Sequence, residues 1–179
     1  MIAPDLDTPL LETARLVLRR PIDADLRSLV RIANNWAVAR QTESLPHPFT
    51  LDHGRVWIAG GATADRRFVI AERDSAELVG ALGLFVRHED WEIGFWIAKP
   101  KWNQGYATEA VQSAAAFAFD ELHLAKLTAA AFADNRAAAR VLEKVGFRHL
   151  GDLPELLPER GGERMLSWHV ADRATLTRS

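Results

Sequence analysis

Cysteine is absent from the 179-residue chain, which excludes disulfides, thiolate metal sites and a cysteine nucleophile together and fits a reducing compartment. Tyrosine occurs once, at Tyr106, so a phenolic proton donor has a single candidate. Neither sign of charge dominates: 22 basic residues stand against 24 acidic ones, for a net charge of −2. The signs are interspersed, so the basic stripe that nucleic acid or an anionic membrane demands is missing and neither partner is expected. No apolar run approaches bilayer-spanning length, and the N-terminus lacks a charged region followed by an apolar one, so the expectation is a cytoplasmic protein. His47, His53, His88, His123, His149 and His169 include no pair at helical ligand spacing, so no metal site is expected.

What is present is apolar and periodic. Apolar residues make up 48% of the chain, and the length suits one domain over residues 1–179 with its core over about 14–171. After a loose lead-in over residues 1–13, Arg15-Leu16-Val17-Leu18-Arg19 alternates as a half-buried strand should. Asp23 and Asp25 then open an amphipathic helix carrying Leu26, Leu29, Val30 and Ala33. The stretch from Asn34 to Phe49 is irregular, with a short helix around Trp36 to Arg40, and Thr50 caps a helix that ends at Gly60-Gly61. Phe68–Ala71, Leu78–Phe85 and Trp91–Ala98 are strands with short links, hence an antiparallel meander.

Downstream, Ala107 to Leu122 reads as a helix with small residues on one face, Lys126 to Phe132 as a strand, and Asp134 caps a second helix that Gly146 ends. Strand, helix, strand, helix implies a parallel crossover. Phe147–Leu150 and Met165–Val170 are late strands flanking a Pro-, Gly- and acid-rich loop, Gly151 to Glu163. They could pair between subunits, which leaves monomer and homodimer open.

The most informative stretch is Asn103-Gln104-Gly105-Tyr106-Ala107-Thr108-Glu109-Ala110, which joins the Trp91–Ala98 strand to the next helix through one glycine. First-turn N–H groups have no intrahelical acceptor and the helix dipole is positive there, so such a turn suits a phosphate. It has neither G-x-G-x-x-G nor a Lys-Ser/Thr pair, which disfavours dinucleotide and nucleoside-triphosphate sites. From Trp102 to Ala110 the run closely resembles the coenzyme A pyrophosphate loop of the GNAT superfamily of N-acetyltransferases, in the wording of its RimJ/RimL-like branch. Leu45-Pro46-His47-Pro48-Phe49, Glu92-Ile93-Gly94-Phe95-Trp96-Ile97 and Asn135 through Glu143-Lys144-Val145-Gly146-Phe147 resemble that branch in the same order, so the likeness extends from about Arg15 to Val170.

The resemblance implies an α/β fold: a mixed, mostly antiparallel sheet of about six to seven strands, flanked by helices, with a V-shaped splay between strands 4 and 5. It also implies transfer of an acetyl group from acetyl-CoA, with no metal, to a primary amine by direct attack in a ternary complex. The backbone N–H groups of Asn103, Gln104, Gly105, Tyr106, Ala107 and Thr108 would hold the pyrophosphate, although the Asn103 position is more often glycine in such loops. Pantetheine amides would bond backbone around Ile97 and Lys99, Asn135 would reach the same arm, and an N–H near Ala98 would meet the thioester oxyanion. Asn135 can equally be read as a helix cap, and the two roles are compatible.

An amine attacks only when neutral, and lysine-like amines near pKa ~10.4 need more help than α-amines near ~7.7–8.0. Glu92 is the candidate base: strand parity puts Glu92, Gly94 and Trp96 on one face, and Gly94 leaves room beside the carboxylate. His88, Glu89 and Asp90 are the other candidates. A general acid is harder to find. Tyr106 belongs to the loop, and the position three after Asn135, often a serine in this branch, is Ala138. That departure leaves a second reading, a non-catalytic acyl-CoA-binding sensor or scaffold. The acceptor, whether a protein or peptide N-terminal α-amine, a polyamine or an aminoglycoside, depends on walls in residues 34–62 and 151–163.

Overall fold

The computed structural model describes residues 8–60 and 65–177; most of the expected lead-in, Gly61 and position 62 of the first wall lie outside the described residues. Eight strands form one sheet in the order β1-β2-β3-β4-β5-β6-β8-β7. They are β1 (Leu11–Glu12), β2 (Leu16–Arg19), β3 (Arg66–Glu72), β4 (Leu78–Arg87), β5 (Asp90–Ile97), β6 (Leu127–Phe132), β7 (Arg148–Leu157) and β8 (Gly162–Ala171). The helices are α1 (Leu26–Ala33), α2 (Trp36–Ala39), α3 (Leu51–Ala59), α4 (Tyr106–Asp120) and α5 (Arg136–Val145). No helix among the described residues is long and apolar enough to cross a membrane.

The central strands are apolar on both faces because helices cover both. Leu16, Leu18, Phe68, Ile70, Leu82, Leu84, Ile93 and Ile97 pack with α4 and α5, while Val69, Ala71, Leu78 and Ala98 pack with α1, α2 and the Leu45–Phe49 segment. Ala110, Ala114, Ala115 and Ala118 of α4 are fully buried, so this helix lies close on the sheet. At the start of α3 the Thr50 side chain accepts from the His53 N–H and His53 Nδ1 accepts from the Thr50 N–H, a reciprocal cap. The second expected cap moves by one residue: Asn135, not Asp134, caps α5, its Oδ1 accepting from the Ala138 N–H at 3.1 Å.

Two sequence expectations change in extent. The six to seven strands become eight because Leu11 and Glu12 pair with Leu18 and Val17. The Gly151–Glu163 stretch is not a loop but most of a long hairpin, in which Asp152 faces Ser167, Pro154 faces Met165 and Leu157 faces Gly162. β7 is the edge of the sheet, where the N–H that Pro154 lacks can be on the outward side, so proline there does not break the ladder.

The feature that positions the site is a failure of pairing. β4 and β5 are in register from Gly80↔Ile97 to Arg87↔Asp90, whereas parallel β5 and β6 meet only at Glu92↔Thr128. Thr128 Oγ1 donates to the Trp91 carbonyl at 3.0 Å and closes that point. Beyond it the strands diverge, which is the expected splay; the extra short strand β1 makes it fall between β5 and β6. The opposite flank of β5 is held tightly by β4. A Cβ added at Gly80 would fall inside the van der Waals envelope of the Trp96 carbonyl oxygen and 3.1 Å from Ile97 Cα. Gly80→Ala must therefore shift backbone, and a loss of about 1–3 kcal/mol is expected. Urea unfolding should show a lower midpoint at unchanged slope; an unchanged midpoint would mean that the two strands have slack.

Candidate active site

A cleft of about 1220 Å³ occupies the splay. The 102–108 loop forms one end, Phe95 and Ile97 one wall, and Phe132, Asn135 and the α5 residues Ala138, Arg140, Val141 and Lys144 another. Glu92, Arg87 and Glu43 line it farther along.

The loop end follows from local backbone chemistry. Gly105 is the N-cap of α4 in a left-handed conformation with φ +82°, and the first intrahelical bond runs from the Glu109 N–H to the Gly105 carbonyl at 3.1 Å. The N–H groups of Tyr106, Ala107 and Thr108 therefore precede any helical acceptor. Asn103 also has positive φ, +60°, which explains why asparagine, tolerant of that region, stands where glycine is common. Arg15, in the bend just before β2, braces the turn: Nη1 donates to the Gln104 carbonyl at 2.9 Å, Nε to Glu109 at 2.7 Å, and the guanidinium lies 4.6 Å from the Tyr106 ring centroid. Burial alone would raise the Glu109 carboxyl, but the donors on Thr13 and Arg15 outweigh it and hold it below the ordinary range. Tyr106 donates to Glu72 at 2.9 Å. Together with Lys101 and Ser75 it holds that carboxyl down at about 2, Lys101 contributing most. The lone phenol is thus engaged away from the cleft's far end.

Along the wall, register decides which backbone groups face the gap. The Ala98 N–H donates to the Val79 carbonyl at 2.7 Å, so by alternation Trp96 and Ala98 address β4, and Phe95 and Ile97 address the cleft. For the donor expected near Ala98, this leaves out the Ala98 N–H itself, which is already used and turned away. Lys99 is exposed in a one-turn 3-10 helix, Lys99–Lys101, and neither residue is part of the cleft lining. The Ile97 carbonyl accepts from Trp102 Nε1 at 2.7 Å. Asn135 spends Oδ1 on its cap, which leaves the Nδ2 hydrogens to donate. Ala138 lines the cleft without a hydroxyl.

Glu92 is 3% exposed and, sharing strand parity with Trp96, lies on the α1 side of the sheet. Its Oε1 lies 3.5 Å from Arg87 Nη1, and Oε2 is buried with no hydrogen-bond partner among the described residues. Burial pushes its carboxyl up to about 7; Arg87 opposes this, while Glu43 and Glu155 reinforce it. The room predicted beside Gly94 is taken by the Phe85 ring, 3.2 Å from where a Gly94 Cβ would sit. A buried carboxylate that changes protonation near neutrality, with one unbonded oxygen, suits proton abstraction. Of its rivals, His88 and Glu89 occupy the turn between β4 and β5 with positive φ, and Asp90 is paired with Lys126 at 2.9 Å. Sequence reasoning missed Arg87, Glu43, Arg140 and Lys144. The i, i+4 spacing of Arg140 and Lys144 on α5 was the available signal.

A splayed sheet with an anion-suited helix start at one end and a buried carboxylate at the other can hold an anionic coenzyme beside a proton acceptor, as a coenzyme-dependent acyltransferase requires. Residues 15–148 match the family model described as an acetyltransferase (GNAT) domain, and the chain belongs to the GNAT acetyltransferase family. An uncharacterised N-acetyltransferase of Bacillus subtilis, YoaA, is 30% identical over 164 residues, covering 86% of this chain and 90% of the relative. Among solved structures, a GNAT-family acetyltransferase from Bacillus anthracis superposes with a TM-score of 0.82 at 22% identity, over 92% of this chain and 98% of the other. A spermidine N-acetyltransferase from Vibrio cholerae, in complex with CoA and spermine, superposes with a TM-score of 0.78 at 22% identity, over 91% and 98%. At those identities the superpositions bear on the fold alone. Among the described residues no group of three or more His, Cys, Asp or Glu could hold a metal ion.

Proposed function

We propose that this acetyltransferase moves an acetyl group from acetyl-CoA to a primary amine by direct attack in a ternary complex, with Glu92 as the general base. The observation that carries the reading is the buried, half-unpaired Glu92 carboxylate at the point where β5 and β6 part. The N–H groups of Asn103, Gln104, Gly105, Tyr106, Ala107 and Thr108 cradle the pyrophosphate, and Arg140 and Lys144 offer further cations to its phosphates. Phe95 and Ile97 backbone and Asn135 Nδ2 bond the pantetheine arm. The Ile97 N–H is the oxyanion donor in place of Ala98.

The amine nitrogen forms its bond to the thioester carbon, the carbon–sulfur bond breaks, and the amine proton passes to Glu92. No side-chain acid is assigned to the sulfur, because Tyr106 is bonded to Glu72 and residue 138 is alanine. The sulfur departs as a thiolate whose conjugate thiol has a pKa of about 8.5, so it leaves without prior protonation and takes its proton from water afterwards. The wording of the loop and of the Glu92–Ile97 strand supports the RimJ/RimL-like branch and an α-amine acceptor. The polyamine reading draws on the fold likeness alone.

Calorimetry with acetyl-CoA should give saturable binding with a stoichiometry of about one per chain, as binding in the cleft at the splay requires. Thiol release should then be screened over peptides with free N-termini, polyamines and aminoglycosides. Peptide-dependent release is expected. Release confined to polyamines would refute the α-amine acceptor, and binding without release from any amine would leave an acyl-CoA-binding module.

A further inference from the structure

Glu92 is gripped by a residue with no place in the cofactor cradle. Arg87 lies at the end of β4, two residues beyond Phe85, the register partner of Glu92. Its Nη1 donates to Glu43 at 2.8 Å and reaches Glu92 at 3.5 Å, its Nη2 donates to Glu155, and its guanidinium sits 5.3 Å from the Trp168 ring centroid. Glu43 belongs to the segment after α2, Glu92 to β5 and Glu155 to β7. One cation thus ties together three acids from segments far apart in the chain. Arg160, beyond the tip of β7, repeats the connection by donating to the carbonyls of Thr42 and Leu45.

Resting on the reading of Glu92 as base, we propose that Arg87 is a positioning residue for acetyl transfer: it draws the Thr42–Leu45 segment and the β7–β8 hairpin together as the acceptor mouth over Glu92. Charge and shape both require arginine. The charged groups turned toward Glu92 are Arg87 from β4, Glu43 from the segment after α2 and Glu155 from β7, while β6 presents uncharged Thr128 in register. Without the guanidinium, three carboxylates would converge with no cation between them among the described residues, and repulsion would part the two walls and disfavour ionised Glu92. A planar fork can serve Glu43 and Glu155 in two directions at once, which a lysine ammonium on one flexible stem cannot.

The test compares Arg87→Gln, Arg87→Lys and the triple variant Arg87→Gln/Glu43→Gln/Glu155→Gln with wild type. Acetyl-CoA affinity should stay within about twofold in all of them, since no cradle group is touched. Arg87→Gln should move the acid limb of kcat/KM upward by about one pH unit or more and raise the acceptor KM on the order of tenfold. The triple variant should return the limb toward wild type while the KM stays high. Arg87→Lys should keep the limb and lose the KM, and it carries the test if the glutamine variant fails to fold. Wild-type limb and wild-type acceptor KM in Arg87→Gln, or wild-type KM in Arg87→Lys, would overturn the proposal. If Glu92→Gln itself turns over normally, the base reading fails separately, and a raised acceptor KM in Arg87→Lys still stands or falls as evidence for the mouth.

Discussion

Gly105→Val is expected to weaken acetyl-CoA binding by about 10- to 100-fold, equivalent to about 1.4–2.7 kcal/mol, in a protein whose circular dichroism matches wild type. Two physical effects combine. The Gly105 φ of +82° is a left-handed conformation in which a β-branched residue costs about 1–3 kcal/mol, so the loop relaxes toward a turn that no longer aims its N–H groups together. The added Cβ would also stand 3.2 Å from Arg15 Nη2, and the Val methyl groups reach farther. Arg15 would have to give way, and with it the bonds that brace the Gln104 carbonyl and Glu109. The fold survives because the buried face of α4, from Ala110 to Phe119, and the strands beneath it are untouched. Gly105→Ala keeps the strain but not the bulk, so its affinity should fall between wild type and the valine variant. Unchanged calorimetric affinity in a well-folded Gly105→Val protein would remove the loop from the cofactor site.

That loop was legible because its chemistry is local. A glycine between a β-branched run and an apolar-periodic helix specifies a left-handed cap within a few residues, and Thr50 before α3 is legible for the same reason. Glu92 was reachable through strand parity alone. The rest depends on distance along the chain. Glu43, Arg87 and Glu155 meet only in the folded protein, although β5, β6 and β8 stand between β4 and β7 in the sheet, and no periodicity records that meeting. The direction of the Ala98 N–H depends on the β4–β5 register, which one-sided sequence patterns leave open. In β7, Gly151, Pro154 and two acids, Asp152 and Glu155, imitate a loop, whereas an edge strand exposed to water tolerates the same residues. The two-residue β1 is too short to show any alternation.

Glu92→Gln should lower kcat by about 10²- to 10⁴-fold near neutral pH, the range that general-base removal produces, with acetyl-CoA affinity nearly intact. The amide keeps the shape and can still accept from Arg87, but it cannot take a proton. In wild type the base is the ionised form of a carboxyl pushed up to about 7 by burial, so kcat/KM should rise with pH through that region. The variant should lack this limb and show only the titration of the acceptor amine, and its deficit should shrink as pH climbs toward the amine's own pKa. Stability supplies an independent check with a fixed sign. Because the folded-state value lies above the ordinary 4.5, the native protein binds the extra proton between them. Its contribution is full below pH 4.5 and is lost as pH rises through about 7. Wild type should therefore lose stability relative to Glu92→Gln over that interval, by about 1–3 kcal/mol, and denaturant midpoints measured at pH 5 and pH 8 read the difference directly. A variant that turned over at the wild-type rate at pH 7 would strip Glu92 of its catalytic role, whereas a stability difference flat with pH would mean that the buried carboxylate is already ionised in the folded protein and needs no proton to be lost before it can act.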